Sequence, residues 1–112
     1  MFFIFNSIIF INNIIYIHII FCYIYMVRIK IEKSTRKNKK YKAIISEKNK
    51  RDRTVHFGDS RYPQYKDTTG IGAFTSKNLL DEKRRKNYFA RHGKVAKKYS
   101  AKFFSHKYLW SK

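Results

Sequence analysis

Hydrophobic and polar positions follow three different rhythms along this chain. Residues 2–25 read Phe-Phe-Ile-Phe-Asn-Ser-Ile-Ile-Phe-Ile-Asn-Asn-Ile-Ile-Tyr-Ile-His-Ile-Ile-Phe-Cys-Tyr-Ile-Tyr, an uncharged run long enough to cross a bilayer as one helix. From Val27 to Ile31 apolar and basic residues alternate, which predicts a short strand with one basic face. Glu32 to Lys40 then loses all periodicity and reads as a solvated loop or basic arm. Tyr41–Ser46 and Arg53–Phe57 are short runs rich in β-branched and aromatic residues on either side of a Lys-, Asn- and Asp-containing turn. They predict a hairpin that closes at Gly58.

Helical periodicity takes over in the C-terminal half. After a turn-rich aromatic loop over Phe57–Asp67, continued by Thr68–Gly72, the stretch Asp81–Gly93 reads as one helix. Its acids open the first turn, Arg91 and His92 close the last, and Gly93 terminates it, all in accord with the helix dipole. Ser76 or Asn78 is expected to cap it, and Asp81 to Arg85 and Glu82 to Lys86 to pair at i,i+4. Lys83, Arg84, Arg85 and Lys86 point all round the axis, so the middle turn has no apolar face to bury. Leu79, Leu80, Phe89 and Ala90 are therefore expected to hold the helix, and Arg84, Arg85 and Lys86 to face a partner. Ser100–Trp110 predicts a last helix capped by Ser100. Its Phe103, Phe104, Tyr108 and Trp110 fall within an arc of ~160° and pack on the hairpin, with Lys102, His106 and Lys107 on the solvent side or rim.

These elements describe a small single α+β domain, a β-hairpin followed by two helices, preceded by an N-terminal apolar helix or a non-native extension. The expected organisation is an apolar segment over 1–25, a basic arm over 26–40 and the domain over 41–112.

Charge changes the picture most. The 112 residues carry 26 Lys and Arg against 7 Asp and Glu, a formal net charge of +19, and none of these charges falls within residues 1–25. Such an excess repels itself on compaction and favours a polyanionic partner. An aromatic content of 18% argues against a solvating, disordered tail. The single cysteine, Cys22, excludes an intramolecular disulfide and a cysteine-based zinc site.

Residues 1–25 support two readings. As a membrane anchor they would be oriented by the basic run Arg28–Lys40, with Tyr23 and Tyr25 at the interface, although Asn6, Asn12, Asn13 and His18 would each need a partner in hydrocarbon. As an upstream translation extension they would reflect the Phe, Ile, Asn and Tyr palette of A+T-rich sequence, with Met26 as the internal start.

Chemistry is harder to assemble. Gly70-Ile71-Gly72 lacks the third glycine and the Lys-Ser/Thr ending of a phosphate loop, so it reads as a bend. His56, His92 and His106 each have an ordinary place on a strand face, a helix end and a helix surface. Asp59 and Asp67 flank the aromatic loop, where hydrogen bonds to loop amides or pairing with Arg61 and Lys66 is the plainer role and metal binding or nuclease chemistry the sharper one. No catalytic constellation forms, and the expectation is a non-enzymatic protein without cofactor or metal.

Four blocks in order carry a resemblance: Val55–Asp59, Tyr62–Asp67, Lys83–His92 and Ala101–Trp110. Together, over roughly Tyr41 to Trp110, they resemble a family of short, basic, uncharacterised proteins of large nucleocytoplasmic DNA viruses of the phycodnavirus and mimivirus groups. The chain departs from that pattern between Gly70 and Leu80, where relatives carry histidines. The resemblance implies a viral setting, in a virion or an infected host cell, and a domain starting near Met26; it implies no activity.

The functional expectation is nonspecific binding of nucleic acid through its phosphate backbone by Lys83, Arg84, Arg85, Lys86 and Arg91 of the charged helix and by Arg36, Lys37, Lys39 and Lys40 of the basic arm. The alternative is a structural protein anchored in a membrane through residues 1–25 or associated with capsid proteins.

Overall fold

The computed structural model describes residues 27–112, so both readings of residues 1–25 lie outside the described residues. Three strands, β1 (Arg28–Lys33), β2 (Lys39–Ser46) and β3 (Arg53–Asp59), form an antiparallel sheet in the order β1-β2-β3. Two helices follow, α1 (Glu82–His92) and α2 (Ala101–Tyr108), which makes this a small α+β domain.

The alternation written into the strands decides what the sheet buries. Ile29 pairs with Ile45 and Ile31 with Ala43, so the apolar faces of β1 and β2 coincide. Tyr41, Ala43 and Ile45 of β2 and Phe57 of β3 are fully buried on that face. Phe104 of α2 lies over them, its ring 5.5 Å from that of Phe57, and Phe74 meets Tyr41 edge-on at 5.4 Å. The opposite face stays polar: Glu32 pairs with Lys30 of its own strand at 3.1 Å and with Lys42 across to β2 at 3.6 Å. Phe104 and Tyr108 thus stack on Phe57 of the hairpin as their spacing predicts, whereas Trp110 lies beyond the end of α2.

The basic arm is not an arm. Glu32 and Lys33 belong to β1, Lys39 and Lys40 to β2, and Ser34–Asn38 is a tight connection between them. Ser34 N donates to the Lys40 carbonyl at 3.0 Å, Arg36 N donates to Ser34 Oγ at 3.0 Å, and Asn38 adopts φ 63°, a conformation asparagine tolerates better than most residues. Backbone pairing outweighs the solvation of a charged run here, because Lys39 pairs with Asp59 of β3 and donates its N–H to the Arg36 carbonyl, while the Lys40 carbonyl accepts from Ser34 N.

The caps also differ from expectation at one end. Asp81 itself caps α1, its Oδ1 accepting from Lys83 N at 3.0 Å and Arg84 N at 3.2 Å. Ser76 lies in a single 3-10 turn, Thr75–Lys77. Asn78 Oδ1 is spent on Gln64 Nε2 at 2.7 Å and Asp67 N at 2.8 Å. At the other end Gly93, with φ 77°, donates its N–H to the Phe89 carbonyl at 2.8 Å and stops the helix as predicted. Ser100 caps α2 through Phe103 N. The acids of α1 reach three residues on rather than four: Arg85 Nη1 lies 3.3 Å from Glu82 Oε1, and Arg84 Nε lies 3.9 Å from Asp81 Oδ2.

What holds α1 is its C-terminal half. Tyr88 is buried and stacks on Trp110 with ring centroids 4.2 Å apart and planes 4° from parallel. Leu79 and Leu80, expected to do this, are 47% and 61% exposed, and Ala90 is exposed too. Phe89 keeps its expected role in part, half-buried and edge-on to Tyr88. Arg85 also turns inward. Its Nε donates to the Trp110 carbonyl at 2.8 Å, and its guanidinium lies 5.1 Å from the Phe89 ring and 5.8 Å from the Tyr65 ring.

Candidate nucleic-acid interface

Where the C-terminal end of β3 meets α1 and α2, the chain leaves a cleft of ≈ 580 Å³. Its floor exists because residue 58 is glycine. A Cβ there would stand 2.7 Å from Leu109 Cδ1 and 3.2 Å from Lys40 Cβ, and φ at Gly58 is 75°. Leu109 and the Lys40 stem therefore close under the strand, and the cleft opens above them. Arg84, Tyr88, Arg91 and His92 of α1 line one wall; Ala101, Lys102 and Ser105 of α2 line another. Lys39, Asp59, Tyr62, Pro63 and Trp110 complete the lining.

The electrostatics of this lining are one-sided. Lys39, Lys40, Arg84, Arg91 and Lys102 contribute positive charge, and Asp59 is the sole carboxylate among the lining residues. Asp59 is already bound by Arg61, whose Nε and Nη2 donate to its two oxygens at 3.0 and 2.8 Å while Arg61 N donates at 3.0 Å. These hydrogen bonds from Arg61 hold the carboxyl down at about 2, so it stays ionised and paired.

Lys40 is the unusual member. Its side chain is 2% exposed, and its ammonium donates to Gln64 Oε1, a neutral acceptor. Burial first, and the nearby charge of Lys77 next, lower its pKa to about 8. As a surface contact for a phosphate Lys40 is therefore a correction to the sequence expectation: it lies under the cleft, enclosed by Leu109 and opposite Gly58.

The remaining sequence-expected residues divide by position. Arg84 and Arg91 are exposed and reach the cleft, and Lys39 is half-buried at its edge. Lys83 and Lys86 are exposed on α1 away from it, and Arg36 and Lys37 sit at the exposed tip of the β1–β2 connection. Arg85 is withdrawn into packing and faces Trp110 rather than a partner. His92, Lys102, Tyr62 and Trp110 also belong to this site, which their separate places in the sequence do not indicate. Lys102 Nζ donates to the His92 carbonyl at 3.1 Å, a contact that draws its charge to the end of α1. Nothing in the local sequence signals this convergence, which depends on how α1 lies against α2.

Asp67 holds a structural role. It accepts from the buried Tyr41 hydroxyl, from Thr69 N at 3.0 Å and from Thr69 Oγ1 at 2.6 Å. His56 Nδ1 meets Ser34 Oγ at 2.7 Å on the polar face of the sheet. Among the described residues no three His, Cys, Asp or Glu side chains come close enough together to hold a metal ion, and no helix is long and apolar enough to cross a membrane.

Residues 29–69 match a family of unknown function, DUF5754. The matched segment takes in nearly all of the sheet and the aromatic loop, and with them Lys39, Lys40, Gly58, Asp59, Tyr62 and Pro63 of the cleft. No curated protein and no solved structure matches the chain.

Proposed function

We propose that the protein binds nucleic acid without sequence preference, by contact with the phosphate backbone, in a large DNA virus or its infected cell. The observation that carries this reading is the convergence of Lys39, Arg84, Arg91 and Lys102 on one cleft whose single carboxylate is already neutralised by Arg61. The formal charge of +19 supplies the long-range attraction, and Arg36, Lys37, Lys83 and Lys86 extend the basic surface beyond the cleft. Each lysine or arginine that meets a phosphate releases counterions, so four such contacts predict a log–log salt slope of about −3 to −4 on duplex DNA. The viral setting rests on the four-block resemblance alone.

Titration of the full chain against duplex DNA at a low and a moderate salt concentration tests the proposal. Binding that weakens steeply with salt supports it; no binding at low salt overturns it. A second reading, a structural protein anchored in a membrane or bound to capsid proteins, rests on the uncharged run of residues 2–25. Mass spectrometry of the native N-terminus distinguishes the two: a mature chain that retains residues 1–25 favours the anchor.

A further inference from the structure

The cleft is the right size for one unpaired nucleotide. Its ≈ 580 Å³ falls inside the range of roughly 300–1,000 Å³ that holds small ligands. A duplex keeps its base faces stacked inward, whereas an unpaired base offers its face to an aromatic ring.

Two independent features of the lining ask for such a ligand. The first is aromatic. Tyr62 stands at the cleft 60% exposed, with the Arg61 guanidinium 5.6 Å from its ring. Trp110, half-buried, forms part of the wall with its ring held flat against Tyr88. A tyrosine ring this exposed, with a cation beside it, is a ready stacking platform. The second feature is the charge below. Lys40 is buried beneath the cleft with Gln64 as its hydrogen-bond acceptor, and among the described residues no carboxylate forms an ion pair with it. Asp59 and Asp67 favour its charge only from beyond ion-pair distance and do not offset its burial, and an anion seated above it would add to their effect. Burial and then Lys77 outweigh those two carboxylates and lower its pKa to about 8. Arg84 and Arg91 are seven residues apart on α1, which places them ~10.5 Å apart along the axis, at the two ends of one wall.

We infer that the cleft receives one unpaired nucleotide of a single strand, its phosphate set between Arg84, Arg91 and Lys102 above Lys40 and its base against Tyr62 and Trp110. The inference rests on the nucleic-acid reading and narrows it: the preferred partner is single-stranded nucleic acid or a frayed strand end, with duplex held more weakly by the outer basic surface.

Trp110 is the only tryptophan in the chain and reports directly from the cleft wall. Full-length protein is titrated with a labelled oligothymidylate, with a blunt duplex of equal length, and, by intrinsic fluorescence, with thymidine 5′-monophosphate. The expected result is at least ~10-fold tighter binding of the single strand at equal salt, with the mononucleotide altering Trp110 emission. Arg91→Glu with Lys102→Glu is expected to abolish the preference while duplex binding through Arg36, Lys37, Lys83 and Lys86 persists. Tyr62→Ala, at an exposed position that leaves the core intact, is expected to lower single-strand affinity about 5–10-fold with little effect on duplex. Equal affinity for strand and duplex, with unchanged Trp110 emission, overturns the inference and leaves the nucleic-acid reading standing. Absence of binding to either at low salt overturns both.

Discussion

Tyr88 and His106 join the two helices through a hydrogen bond of 2.9 Å between the phenol oxygen and Nδ1, and the other ring nitrogen of His106 lies 2.9 Å from the Gly93 carbonyl. A carbonyl only accepts, so Nε2 carries the proton and Nδ1 accepts from Tyr88. This arrangement suits the neutral imidazole, and burial, reinforced by the nearby His92 and Lys102, lowers the His106 pKa below its ordinary 6.5. The folded state therefore binds fewer protons than the unfolded one as pH falls through 6.5, and stability drains below that point. His56 acts in the same direction, through burial and then Arg36, Lys42 and Lys39. The expected outcome is a denaturation midpoint that holds between pH 6.5 and 8 and declines toward pH 5. His106→Gln should show a shallower decline, and an unchanged pH profile in that variant would contradict the assignment.

Gly58 should tolerate no side chain. A left-handed backbone costs an L-residue roughly 1–2 kcal/mol, and forcing a methyl against Leu109 adds about 1–3 kcal/mol. Gly58→Ala is expected to lower unfolding free energy by a few kcal/mol in urea. Because the clash lies under the cleft, single-strand binding should weaken in parallel. A variant as stable as the parent would show that Leu109 moves freely aside.

Lys40 predicts a second, alkaline window. Its folded pKa of about 8 lies below the ordinary 10.5, so between these values the unfolded chain holds a proton that the folded chain has lost. Stability contributed at this site should therefore rise with pH across that interval and be lowest below pH 8. Lys40→Met removes the titration. The difference in unfolding free energy between parent and variant should change in the parent's favour by on the order of 1–3 kcal/mol from pH 8 to 10.5, with the titration of other lysines and tyrosines common to both. A constant difference across that range would rule out a lowered pKa at Lys40.

Arg85 and Lys86 are neighbours with opposite expected phenotypes. Arg85→Ala loses the hydrogen bond to the Trp110 carbonyl and the contacts to Phe89 and Tyr65, and should cost about 1–3 kcal/mol of stability. Lys86→Ala, at an exposed position, should stay within ~0.5 kcal/mol and instead lower duplex affinity and the salt slope by about one phosphate contact. Chemical denaturation and binding isotherms of the two variants check this together. A stable Arg85→Ala that binds poorly would return Arg85 to the partner-facing surface.

Arg85 marks the limit of what local pattern encodes. The all-round basic waist of α1 was plain in the residue pattern, as were the helix limits at Asp81 and Gly93 and the aromatic stripe of α2. Which of the basic side chains would be drawn inward was not, because Arg85 is claimed by a carbonyl 25 residues away. Lys40 repeats the lesson. In the one-dimensional pattern it is one more cation in a charged run; in the fold it extends β2, and Gly58 on the neighbouring strand leaves the space that buries it.

The sequence by itself determined the element types, most of their limits, the apolar faces of the strands and the overall sign of the surface. These follow from periodicity, capping chemistry and charge, which act over a few residues. Only the tertiary structure decided that Tyr88 rather than Leu79 or Leu80 anchors α1, that the supposed basic arm is a strand connection, and that Lys39, Arg84, Arg91, Lys102, Tyr62 and Trp110 surround one cleft. Those outcomes depend on the packing of α1 against the segment after α2, which is set by the summed contacts of residues far apart in the chain and has no local signature.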